Sequence, residues 1–84
     1  MKQKVLFDVK LPATGRHYDF WVPQDAPMQV VTNLISEAMQ VIEPDFYLAD
    51  DNAALLYRRT GEIQNPKASV GEIGFTNGDQ FVLI

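Results

Sequence analysis

Residues 5–11 alternate between apolar and polar positions with a period of two. Val5, Phe7, Val9 and Leu11 fall on one side, and Leu6, Asp8 and Lys10 on the other. Successive side chains of a pleated strand point to opposite faces, so this pattern predicts a half-buried strand. Pro12-Ala13-Thr14-Gly15 then breaks the alternation with turn residues, Gly15 being suited to a positive φ. Alternation resumes with Tyr18, Phe20 and Val22 inward and His17, Asp19 and Trp21 outward, which predicts a hairpin.

The segment from Pro23 to Pro27 ends the second strand and opens a helix, with Asp25 or Ala26 expected at the cap. Pro27 is expected in the first turn, where a missing N–H costs nothing. Val31, Leu34, Ile35, Ala38 and Ile42 follow at helical spacing and predict the buried stripe. Gln29, Thr32, Asn33, Ser36, Glu37 and Gln40 are expected on the solvent side. Pro44 pushes Glu43 out of helical angles, so the helix should stop near Ile42.

The stretch 43–53 is polar and acidic, with Phe46, Tyr47 and Leu48 expected to pin it to the body. A third strand is predicted over Ala54 to Arg59, with Leu55 and Tyr57 inward, and Thr60-Gly61 then turns the chain. Ile63 is expected to return to the core on a short fourth strand. Ser69 and Glu72 have the spacing of a capping box, which opens one helical turn ended by Gly74. Thr76-Asn77-Gly78-Asp79 is a turn signal, and a last strand from Gln80 to Ile84 carries Phe81 and Leu83 inward. The fold class is therefore α+β: one domain over residues 1–84, in which a single amphipathic helix covers one face of a mixed sheet of four to five strands.

Composition narrows the function. The chain has no cysteine, which excludes disulfides, thiolate metal sites and cysteine nucleophiles, and favours a reducing, cytoplasmic setting. Met1-Lys2-Gln3-Lys4 runs directly into the first strand without a signal-peptide pattern, and no apolar run approaches a membrane span, so membrane insertion is not expected. Acids outnumber bases, 11 to 7, and the bases are scattered, so no affinity for nucleic acid is expected.

Candidate chemistry is sparse. His17 and Asp19 share an outward strand face, but a metal needs three or four ligands and a general base needs a nucleophile nearby. Glu43, Asp45, Asp50 and Asp51 lack the alternating spacing of a calcium loop. With no phosphate-binding loop, dinucleotide fingerprint or nucleophile elbow, neither an enzyme nor a cofactor or metal is expected.

The outward strand positions carry more information. Leu6 and Trp21 point away from the helix on the first hairpin, and Leu56, Val82 and Ile84 do so on the third and last strands. Apolar residues collected on a wetted face mark contact surfaces, and Trp is a favoured anchor. With Arg58 as a charged rim, these residues form the candidate protein-binding site. The same side chains stabilise a sheet by cross-strand pairing, so their outward placement is compatible with either role.

The element order, with these turns, resembles ubiquitin over essentially the whole chain. Thr14-Gly15 falls at its first hairpin turn and Val22-Pro23 at the end of its second strand. Leu55-Leu56-Tyr57 matches its third strand, and Ser69-Val70-Gly71-Glu72-Ile73-Gly74 its late helical turn. Ala26-Pro27-Met28 and Gly74-Phe75-Thr76-Asn77-Gly78-Asp79-Gln80 more closely resemble the YukD/EsaB-type ubiquitin-like proteins, associated with type VII secretion in Gram-positive bacteria. The resemblance implies a ubiquitin-like β-grasp roll. It also implies a cytoplasmic accessory or adaptor protein that contacts a component or regulator of the secretion machinery.

In ubiquitin, the positions matching Leu56 and Ile84 belong to the surface that partners grip. Conjugation is not expected, since Phe81-Val82-Leu83-Ile84 replaces the terminal Gly-Gly tail of modifiers and sulfur carriers. An adaptor outside secretion is the alternative, and pairing of two copies through the outer face stays open.

Overall fold

A computed structural model describes residues 3–84, so the expectations that fall on Met1 and Lys2 lie outside the described residues. The first hairpin forms as its alternation predicts, with β1 at Lys4–Leu11 and β2 at Arg16–Pro23 in register from Lys4 opposite Pro23 to Leu11 opposite Arg16. Gly15 takes φ 70° in the turn, the left-handed conformation that favours glycine. Next come α1 (Met28–Ile42), β3 (Leu55–Tyr57), β4 (Glu62–Ile63), α2 (Val70–Ile73) and β5 (Asp79–Leu83). The strands form one sheet in the order β2-β1-β5-β3-β4; β5 inserts parallel to β1, and the other neighbours run antiparallel.

The core lies between the sheet and α1. From β1 come Val5, Phe7, Val9 and Leu11, from β5 Phe81 and Leu83, and from β3 Leu55. Phe7 and Phe81 stack with ring centroids 4.2 Å apart, and Phe75 meets both edge-on. Tyr57, half-buried, closes this cluster against Phe75 and Phe81. The Ser69–Glu72 capping box is present in both directions, and Gly74 ends α2 in the left-handed region.

Three expectations need correction. The first is the start and facing of α1. Pro27 is its N-cap, not a first-turn residue, and offers no side-chain acceptor. The orphan N–H groups of Met28 and Gln29 instead donate to the carbonyls of Ala68 and Pro66. The helix is also rotated from its predicted stripe. Met28, Val31, Thr32, Ile35, Ser36 and Met39 are buried, while Leu34 and Ile42 are exposed.

Two polar residues can be buried because each is satisfied. Thr32 Oγ1 donates to the Met28 carbonyl at 2.7 Å, and Ser36 Oγ pairs with Tyr47 Oη at 2.7 Å while accepting from Asp50 N. The second correction follows from this pairing. Tyr47 pins the 43–53 segment, whereas Phe46 and Leu48 are exposed. Third, Ile63 is 57% exposed and not in the core: the β3–β4 register sets it opposite Leu56, on the outer side. β3 itself is shorter than the predicted Ala54 to Arg59.

Candidate protein-binding face

The sheet register fixes which outward side chains are neighbours. Directly opposed residues on adjacent strands share a face, so the outer surface reads as transverse rows. The first row holds Trp21 and Leu6, paired across the hairpin. Beyond Leu6 the chain is Asn77-Gly78: Leu6 N donates to Asn77 Oδ1 at 2.9 Å, and Gly78 N donates to the Leu6 carbonyl at 2.9 Å. This places Trp21, 58% exposed, at a corner of the sheet.

The second row is polar: Asp19, Asp8, Gln80 and Arg58. Asp8 accepts from His17 Nδ1 at 2.9 Å and from Gln80 Nε2 at 3.5 Å. Arg58 Nη1 donates to Gln80 Oε1 at 3.4 Å. Asp19 and Asp8 stand opposite each other, and His17 lies diagonal to that pair. A hollow of about 390 Å³ sits beside this row, lined by Tyr57, Arg58, Arg59, Gly78, Asp79 and Gln80.

The third row runs from His17 and Lys10 to Val82, Leu56 and Ile63. Ile84 lies just past Val82, its backbone paired in both directions with Ala54, and its side chain is exposed. Val82, Leu56, Ile63 and Ile84 thus form a second apolar corner. Leu56 and Val82 are half-buried by their neighbours, and Ile63 and Ile84 stand out.

The structure therefore brings together only some of the six residues singled out by sequence. Leu56, Val82 and Ile84 are neighbours, Leu6 and Trp21 are neighbours, and Arg58 stands in the row between the two groups. Leu6 and Lys10 are four positions apart on β1, which sets the first row about 13 Å from the third at the usual strand rise. One continuous patch of five residues is thus replaced by two apolar corners across a polar row. Ile63 was missed because a two-residue strand shows no alternation. Counting back from Leu56 through the Thr60-Gly61 turn would have given its parity.

Among the described residues no group of three or more His, Asp or Glu is placed to hold a metal ion, and no helix is long and apolar enough to cross a membrane. A five-stranded mixed sheet with a helix packed across it is the ubiquitin-like β-grasp fold. No protein-family model and no curated protein sequence matches the chain.

Several solved structures share the fold. The EccD5 ubiquitin-like domain from Mycobacterium xenopi superposes with a TM-score of 0.80 at 14% identity, over 98% of this chain and 93% of that one. A chain of the MycP5-free ESX-5 inner membrane complex also gives 0.80, at 18% identity, over 98% of this chain and 21% of the other. The ubiquitin of Caldiarchaeum subterraneum gives 0.69 at 20% identity, over 96% of this chain and 91% of that one.

Proposed function

We propose that this chain is a non-catalytic ubiquitin-like adaptor of a type VII secretion system, of the YukD/EsaB type. It docks on a component or regulator of that machinery through the outer face of its sheet. The observation that carries this reading is the pair of exposed apolar corners, Leu6–Trp21 and Leu56–Ile63–Val82–Ile84, on the face opposite the helix. Large aromatic and branched side chains left wet at both ends of a rigid sheet are anchors for a partner, and the polar row between them sets its orientation. The likeness in fold to EccD ubiquitin-like domains supports the secretion context.

The reading is tested by co-purification from cells that contain the secretion complex, followed by identification of the captured subunits. Leu56→Ser with Ile84→Ser should abolish capture, and Trp21→Ala should weaken it, while circular dichroism and melting temperature stay close to wild type. Capture of secretion subunits that survives all these changes in a folded protein removes the outer face as the docking site. Capture of an unrelated protein alone, through the same residues, keeps the adaptor and removes the secretion system.

A further inference from the structure

The two edges of the sheet differ, and β2 forms the longer one: eight residues with a neighbour on one side only. Gln24 N donates to the Gln3 carbonyl, which sets the parity of the hairpin ladder. Arg16, Tyr18, Phe20 and Val22 turn their backbone groups to β1, and His17, Asp19 and Trp21 turn theirs to the open edge. The flank of α1 away from the 47–50 segment is the one its rotation leaves uncovered. Leu34 and Ile42 on this flank are 53% and 46% exposed, while Val30 and Val41 lie farther round, on the side of the helix away from the sheet. The opposite flank of the helix is occupied by the 47–50 segment through Ser36, and Tyr18 Oη on β2 donates to Glu43 Oε2 at 2.6 Å just past the helix end.

We propose that this open edge and helix flank bind a second copy of the same chain, β2 pairing antiparallel with its counterpart about a two-fold axis normal to the sheet. Such an axis keeps both helices on one side, so the apolar flanks face each other across it. The arrangement is isologous: one surface serves both copies. Its contacts differ from those of the outer-face reading, since it uses the rim of the sheet and the helix and shares with that face only the side chains of His17 and Asp19.

Charge and backbone chemistry select the register. The open-edge residues must oppose one another, which leaves three central alignments. Asp19 opposite Asp19 sets like charges face to face. Asp19 opposite Trp21 sets His17 against Pro23, which has no N–H to return. The remaining alignment, with the axis at Tyr18, sets His17 of each copy opposite Asp19 of the other. Asp19 is exposed, faces the carboxylate of Asp8 across its own hairpin, and makes no hydrogen bond or ion pair among the described residues. His17 donates from Nδ1 to Asp8, since a carboxylate oxygen only accepts, so its Nε2 can donate to Asp19 of the other copy only in the imidazolium form. The fit is reciprocal, so it is made twice. One edge strand and one helix flank belong to the size class of transient contacts, so the dimer should assemble only at high concentration.

Sedimentation velocity over a concentration series into the millimolar range tests this, with circular dichroism confirming each fold. Wild type should pass from monomer to dimer. Asp19→Pro removes an edge N–H without touching the β1 ladder and should hold the chain monomeric, as should Leu34→Glu. Asp19→Lys and His17→Asp should each weaken association at least ten-fold, and the double variant should restore it. A wild type that stays monomeric throughout overturns the proposal. So does a dimer that persists in folded Asp19→Pro and Leu34→Glu, or a double variant no better than the single ones.

Discussion

Val5, Phe7, Val9 and Leu11 are buried beneath α1, while Leu6, Asp8 and Lys10, alternating with them on the same strand, are half-exposed. The two faces of one strand thus obey different rules. On the inner face, apolar side chains from six elements meet in one cluster, and each ring has neighbours on several sides. On the outer face, apolar residues occur in separate corners divided by a hydrogen-bonded polar row. The inner face is built for stability, since every removed atom leaves a void there. The outer face leaves its largest apolar side chains wet, which adds little to folding and is what the proposed docking role requires.

The comparison breaks first at Phe81. Phe81→Ala empties the space between Phe7, Phe75 and Tyr57 and should cost about 3–5 kcal/mol. At roughly 4–8 °C per kcal/mol for a domain of this size, thermal melting should fall by about 12 °C or more. A loss of only a few degrees would mean that the inner face is not one continuous core. Ser36→Ala comes next. It deprives Tyr47 Oη and Asp50 N of a partner and should cost about 1–3 kcal/mol by chemical denaturation. Tyr47→Phe combined with it should recover part of that loss, because the hydroxyl left unpaired is then gone.

Ser69→Ala removes one arm of the capping box on α2 and should cost about 1 kcal/mol, read as a modest drop in melting temperature. The smallest stability effects belong to the outer face. Trp21→Ala, and Leu56→Ser with Ile63→Ser, should each change stability by under about 1 kcal/mol. The same variants should weaken partner binding at least ten-fold by titration calorimetry. Large destabilisation with unchanged binding would reverse the roles given to the two faces.

Much of the inner face was legible along the chain. Alternation over 5–11 and 17–22 exposed the hairpin and its two sides, because strand periodicity is written into neighbouring residues. Ser69, Glu72 and Gly74 announced α2, since a capping box closes within four residues. Ile63 was misplaced because β4 is too short to show a period, and its facing comes from pairing with Leu56. Pro27 was placed one position too far into the helix. Its cap is supplied by the Ala68 and Pro66 carbonyls, about forty positions away in the chain, which no local rule contains.

The candidate site was legible residue by residue but not as a surface. Leu6, Trp21, Leu56, Val82 and Ile84 were readable as outward from parity alone. Their division into two corners depends on how β5 lies against β1: Val82 opposes Lys10, two rows from Leu6.

What this amino-acid sequence determined unaided was local: the strands and helices, their order, the turns and the side of each long strand that faces inward. Those follow from backbone stereochemistry and short-range periodicity, which act between residues a few positions apart. Tertiary structure decided the rotation of α1, the burial of Thr32 and Ser36, the outward turn of Ile63 and the grouping of the anchors. The helix offers a wider apolar arc than the sheet can cover. Which part is buried depends on where Tyr47 and the 47–50 segment find hydrogen-bond partners, a choice made only when distant parts of the chain meet.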